Sequence, residues 1–349
     1  MRIFVLDYLR AILAVGILIA HFALWSYGPK DVSNVSMRLE IYRVPMFYLL
    51  SGLTLGYIYA NKISFNIPDL SAYVLKRIKR LAPMFYFTTF LTILISWKMP
   101  PPGMLINNLT GFVAFYKWDE IIVNGGWSIG NEFFFYLMFP VLIFIYRQSK
   151  YLFAVAMASV LVVFIYFAFF QIDASHLFVE EWKNYTNPLN QLFLFASGVS
   201  ISLFLKDVKV SLSSSLILII TGVVVFYIYP ISGDRIRVIT GLPRLVFSMA
   251  CIMIMIGIFN IRFKAPAILH SILMMVAAES YSIYLLHPIC YRGFMRVNSL
   301  AVKLGFVIST PLVLMLSGVS TIVLIVGSRL TYKKVVSLFK QSDPVLESA

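Results

Sequence analysis

FVLDYLRAILAVGILIAHFALW, Phe4 to Trp25, is long and apolar enough to cross a bilayer, yet it carries Asp7, Arg10 and His21. An Arg or Asp at the centre of a membrane helix costs roughly 2.5–3.5 kcal/mol on insertion scales, so such charges are kept by pairing or by function. The step from Arg10 to His21 amounts to about three helical turns, which sets both side chains on one face about 16 Å apart along the axis. Asp7, Arg10, Ala14, Ile17 and His21 share this 3/4 spacing, and their stripe is expected to face protein or a cavity rather than lipid. A buried Asp7–Arg10 pair with a snorkelling His21 is the purely structural reading of the same residues.

The rest of the chain is of the same class. Its 349 residues are 60% hydrophobic and only 13% charged, with a mean hydropathy of +0.87, which describes a polytopic, all-α integral membrane protein. Ten spans are expected, at about 4–25, 43–60, 81–97, 127–146, 151–171, 189–205, 212–229, 242–259, 271–290 and 304–327. Short basic loops alternate with loops that also carry Asp31, Glu40, Asp119, Glu120, Asp173, Glu180, Glu181 and Asp234, which places both termini in the cytoplasm. One transmembrane domain over 1–335 and a short cytoplasmic tail over 336–349 account for the length, and the first helix lacks a convincing cleavage site. The net charge of +14 sits in membrane-flanking loops, so membrane lipids and phosphate-bearing ligands are expected as partners, and nucleic acid is not. Cys251 and Cys290 offer no disulfide framework and no metal-ligand spacing, and no metal is expected.

Two outer loops stand out. In Lys98–Gly126 the breaker Pro100-Pro101-Pro102-Gly103 precedes an apolar piece, Met104 to Lys117, too short to span and expected to be interfacial or re-entrant. Ile172–Pro188 reads as a solvated polar loop. Asn34, Asn108 and Asn184 each begin an Asn-x-Ser/Thr triplet.

Four constellations can carry chemistry. Lys76-Arg77-Ile78-Lys79-Arg80 puts two guanidinium groups on one helix face, a fork suited to phosphate oxygens, although it also serves as a positive-inside signal. Trp127-Ser128 leads to Glu132, about one and a half turns into a helix, where a carboxyl can snorkel or pair with His21. Ser280 to Pro288 carries His287 near a helix end, with Glu279 one turn below Ser282. Arg43 precedes Ser51-Gly52, and Gly52 with Gly56 permits close helix packing.

In their joint order, these motifs resemble the acyltransferase-3 family. They are Leu6-Asp7-Tyr8-Leu9-Arg10 with His21, Met46 to Gly52, Arg77-x-x-Arg80, Trp127-Ser128 with Glu132, Phe135-Tyr136-Leu137, and Tyr281 to Pro288. The resemblance runs from Phe4 to His287. It implies a ten-span fold and transfer of acetyl groups from cytoplasmic acetyl-CoA to hydroxyls of exported or surface glycans or glycolipids, in the inner (plasma) membrane. The family's Arg-x10-His pattern falls on Arg10 and His21, and its donor-side Arg-x-x-Arg on Arg77 and Arg80. Where the family often has Glu-Glu-Gln-Phe-Tyr, this chain reads Glu132-Phe133-Phe134-Phe135-Tyr136.

Transfer from a thioester to an alcohol needs a base for the hydroxyl proton and donors or a cation for the tetrahedral oxyanion. His21 is the expected base, assisted by Glu132 or His287. Arg10 is expected to guide the donor or stabilise developing charge, and Arg77 and Arg80, with Lys76 beside them, to hold coenzyme A phosphates. A covalent acyl-histidine is a second route. The rival from another class is a small-molecule or proton-coupled transporter, which would call for matched broken helices in two pseudo-symmetric halves.

Overall fold

Glycine contacts explain why the centre of the molecule is a tightly apposed helix pair. α2 (Val35–Tyr59) packs more extensively against α8 (Pro188–Phe204) than any other two helices pack. A Cβ on Gly52 would strike the carbonyl of Phe195, and one on Gly198 would strike the carbonyl of Leu49; one on Gly56 would strike Ser202 Oγ. Only hydrogen at these positions lets the backbones touch. Around them Phe135 stacks on Phe195 at 5.0 Å and Tyr48 meets Phe135 edge-on at 5.0 Å.

The computed structural model describes residues 2–306 and 309–342, with side chains described as far as Ser328. It is 78% helix, and no strand occurs among the described residues. Besides α2 and α8 the helices are α1 (Phe4–Tyr27), α3 (Ile67–Ser96), α4 (Pro102–Thr110), α5 (Trp127–Gln148), α6 (Lys150–Tyr166), α7 (Trp182–Thr186), α9 (Leu212–Ile228), α10 (Gly241–Asn260), α11 (Ala267–Ala278), α12 (Ser280–Lys303) and α13 (Thr310–Ser342).

Among the described residues, six helices are long and apolar enough to cross a membrane: α1, α3, α5, α6 with its continuation to Gln171, α10, and α13 over Thr310–Ser328. α11 and α12 make a seventh if they count as one span, bent by 68° at Glu279. Three of the ten expected spans are shorter or more polar than these. α8 and α9 have 17 residues each, and α2 carries Arg38, Glu40, Arg43, Ser51 and Thr54 because it lies inside the bundle.

α1 matches the stripe read from its sequence. Ala14 and Ile17 are buried, while Ile12, Val15 and Ile19 form an exposed apolar face at i, i+3 and i+7. At its start, Asp7 takes bonds from Arg2 Nε at 2.8 Å and Arg10 Nη1 at 3.4 Å.

Other elements differ from the sequence expectation. The apolar piece from Met104 to Lys117 is not one helix: α4 stops at Thr110 because Gly111 takes a left-handed φ of 79°, and a single 3-10 turn, Phe112–Ala114, follows. Asn108 is buried, its amide bonded to the carbonyl of Glu120 and the N–H of Ile122, so this triplet faces inward. The expected ninth span is broken at Glu279. α13 runs from Thr310 to Ser342, and residues 343–349, part of the expected tail, lie outside the described residues.

Candidate active site

α1, α2, α3, α5 and α12 enclose a cavity of about 360 Å³. Arg10, Tyr59, Lys76, Arg77 and Arg80 line one end, and Ser51, Ser128, Glu132, Tyr136, Tyr281 and Tyr284 are among the remaining wall residues. Four cations thus share one cavity with one lining carboxylate, Glu132. The helix directions explain the clustering: α1 and α3 run antiparallel to α2, so the start of α1, the end of α2 and the middle of α3 meet at one level.

The three α3 cations that line the cavity are not equivalent. Arg77 is 5% exposed, and its guanidinium carbon lies 4.8, 5.3 and 5.6 Å from the ring centres of Tyr59, Tyr73 and Tyr136. Its Nε has no hydrogen-bond partner. Arg80 and Lys76 are exposed, Lys76 Nζ lying 5.7 Å over the Tyr59 ring. An aromatic cage holds Arg77 in place by cation–π attraction, while its neighbours on α3 stay accessible to an anion.

Glu132 projects into this cavity and not toward His21. Its Oε1 accepts from Ser51 Oγ at 3.2 Å and from the hydroxyl of Tyr136. The pairing with His21 read from the sequence is absent, because Glu132 sits on the α5 face that turns to α2 and α3. One turn before it, Ser128 Oγ bonds the hydroxyl of Tyr284 at 2.8 Å, and that hydroxyl also donates to the carbonyl of Gly125 at 2.9 Å.

His21 and His287 meet outside the cavity lining. His21 Nδ1 is 2.9 Å from His287 Nε2, and the rings stack at 5.2 Å beside Trp25. His287 Nδ1 is 2.9 Å from the carbonyl of Ile283, which can only accept, so this nitrogen carries the proton. The other nitrogen of neutral His287 is therefore an acceptor, and His21 must donate from Nδ1. His21 Nε2 is left with a free lone pair. Tyr284 links the two regions: it lines the cavity, and its ring centre is 6.1 Å from that of His287.

Charges that the sequence left in a loop or without a role gather at His21. Glu40, expected in an outer loop, lies in α2 with its side chain 11% exposed and Oε1 3.8 Å from His21 Nε2. Its Oε2, Nη1 of Arg43 and Nε of Arg235 are buried without hydrogen-bond partners. Arg43 and Arg235 both act electrostatically on His21 and on Glu40. A helix start at Val35 instead of residue 43 was the missing signal: it turns Glu40 and Arg43 into an i, i+3 pair on one face. Tyr59 and Arg235 had no signal in the sequence.

Cys251 and Cys290 are free and buried, and among the described residues no group of three or more His, Cys, Asp or Glu side chains is placed to hold a metal ion. No curated protein and no solved structure matches the chain. A sequence model described as an acyltransferase domain matches residues 3–329, nearly the whole described length. With that match spanning α1 to α13 and the apolar helices already described, this chain belongs to the acyltransferase-3 family of membrane acyltransferases.

Proposed function

We propose that the protein is an O-acetyltransferase of the inner (plasma) membrane, moving an acetyl group from cytoplasmic acetyl-CoA to a hydroxyl of an exported or cell-surface polysaccharide or glycolipid. The observation that carries this reading is the alignment along α1 of a cation-lined cavity at Arg10 with a histidine pair at His21. In this reading Lys76, Arg77 and Arg80 hold the donor's phosphates, Arg10 guides the donor, and Glu132 fixes the cavity wall through Tyr136 and Ser51. The cavity is near the small end of the usual range of about 300–1,000 Å³, which suits the slender thioester arm with its nucleotide left at the basic end. His21 Nε2 takes the acceptor's proton, and His287 keeps that nitrogen free.

With α2, α8 and α9 the domain has ten spans, α11 and α12 counting as one, with both termini cytoplasmic, the orientation favoured by the short basic loops. Donor and acceptor then come from opposite sides. Sealed inside-out vesicles test this: acetyl-CoA added outside should acylate acceptor trapped in the lumen, with release of free CoA. Acylation only when acetyl-CoA is supplied in the lumen would overturn the sidedness, and none in either case would overturn the activity.

A further inference from the structure

Between the cavity and the histidine pair lies Arg43, one of whose buried guanidinium nitrogens the helix packing leaves without a hydrogen-bond partner. Arg43 of α2 crosses α1 at Gly16, where a Cβ would come within 2.9 Å of Arg43 Nε and 3.4 Å of its Cδ. At 1.5 Å per residue, Gly16 is about 9 Å beyond Arg10 and about 7.5 Å short of His21 along α1. The guanidinium therefore sits at the level a thioester carbonyl must pass on its way from the cavity to His21. Val44 and Phe47, which follow on the same helix, line the cavity.

A buried guanidinium normally satisfies its N–H groups, because each unmatched donor costs about 1–3 kcal/mol. Arg38, which is buried, does so, whereas buried Arg244 does so only through Nη2 and leaves its Nη1 unmatched. Arg38 donates to the carbonyls of Val32 and Phe226 at 2.6 and 2.8 Å, and Arg244 to the carbonyl of Asn190 at 3.0 Å. Arg43 Nη1 is buried with no partner at all. Its nearest acid by sequence, Glu40, makes no ion pair with it and instead lies 3.8 Å from His21 Nε2. Arg10, the other candidate for this task, is drawn to Asp7 at the far end of the cavity.

We propose that Arg43 is the oxyanion-stabilising residue of the acyl transfer, resting on the reading that His21 Nε2 is the base. The acceptor oxygen attacks the thioester carbonyl carbon and its proton passes to His21 Nε2. The carbonyl π electrons move to the oxygen, whose negative charge is met by Arg43 Nη1–H. Collapse restores the C=O bond, breaks the C–S bond, and the departing thiolate takes the proton back from the imidazolium. Glu40 stabilises that imidazolium while it exists. Gly16 is glycine because a side chain there would push the guanidinium aside.

The test compares wild type, His21→Ala, Arg43→Gln, Arg43→Lys and Gly16→Ala in detergent, measuring kcat, donor KM and thermal stability. Losing one oxyanion donor typically lowers kcat by about 10²–10³-fold, and Arg43→Gln should do so with donor KM little altered. Arg43→Lys should recover part of the loss by restoring the charge. Gly16→Ala should lower kcat while all charges are retained, and it decides the matter if Arg43→Gln does not fold. Full kcat in Arg43→Gln, a loss confined to donor KM, or a lysine variant no better than glutamine would overturn the role of Arg43 while the acyltransferase reading stands. A wild type inactive with acetyl-CoA, or an active His21→Ala, would overturn both.

Discussion

His21 and His287, 266 residues apart in sequence, share a hydrogen bond of 2.9 Å whose direction is set by a third group, the carbonyl of Ile283. That carbonyl fixes the tautomer of His287, which fixes the tautomer of His21. A base whose free nitrogen is chosen in this way is sensitive to replacement of a residue that touches no substrate.

Replacing His21 by Ala should abolish acyl transfer with protein abundance nearly unchanged. His287→Leu removes the acceptor for His21 Nδ1–H and should lower kcat on the order of 10²-fold, within the usual contribution of a general base. His287→Gln offers an amide oxygen in its place and should lose much less. Equal losses in the leucine and glutamine variants, measured at saturating donor, would sink the tautomer argument.

Arg80→Ala and Lys76→Ala should weaken donor binding without disturbing the fold. Removing one charge-assisted contact costs about 1.5–3 kcal/mol, or roughly ten- to a hundredfold in donor KM, with acceptor KM little altered. Arg77→Ala should raise donor KM and also lower the melting temperature, because it empties the cage of Tyr59, Tyr73 and Tyr136. Normal kinetics in correctly inserted Arg80→Ala molecules would reduce the cluster to a topology signal.

Glu132→Gln keeps the size of the side chain and removes the one lining carboxylate. Turnover should fall more than donor affinity, since Ser51 and Tyr136 lose a charged acceptor while every phosphate-facing cation remains. Steady-state kinetics decide it: a change confined to donor KM would move Glu132 into the donor-binding set.

Gly198→Ala should destabilise the domain more than it alters chemistry. The added methyl meets the carbonyl of Leu49, and overpacking of this kind costs about 1–3 kcal/mol, visible as a lower melting temperature in detergent. An unchanged melting temperature would show that α2 and α8 can separate without cost.

In the loop before α7, His176 Nδ1 bonds Glu181 Oε1 at 2.8 Å, and this bond raises the histidine pKa above its ordinary value. A raised folded-state pKa stabilises fully below the unfolded value of about 6.5, and the contribution is lost as pH rises through the folded value. Hydrogen exchange over residues 173–186, corrected for intrinsic rates, should therefore show more protection at acidic than at alkaline pH. Protection that increases with pH would contradict the pairing.

One-dimensional periodicity was enough to identify a helical membrane protein, to put Asp7, Arg10, Ala14, Ile17 and His21 on one inward face, and to mark Gly52 and Gly56 as contact points. These readings rest on 3.6 residues per turn and on the cost of charge in hydrocarbon, both of which act within a single segment. Periodicity says which face turns inward and nothing about which face it meets. Helix packing alone put Glu132 with Ser51 and Tyr136 and not with His21, brought His287 to His21, and set Glu40, from an apparent loop, and Arg43, from the second span, in the space beside them. It also decided which expected spans are apolar throughout, because α2, packed inside the bundle, is free to be polar. Contacts between residues hundreds of positions apart depend on how whole helices fit together, with Gly52 against Phe195 and Gly16 beneath Arg43 as the close approaches that decide it.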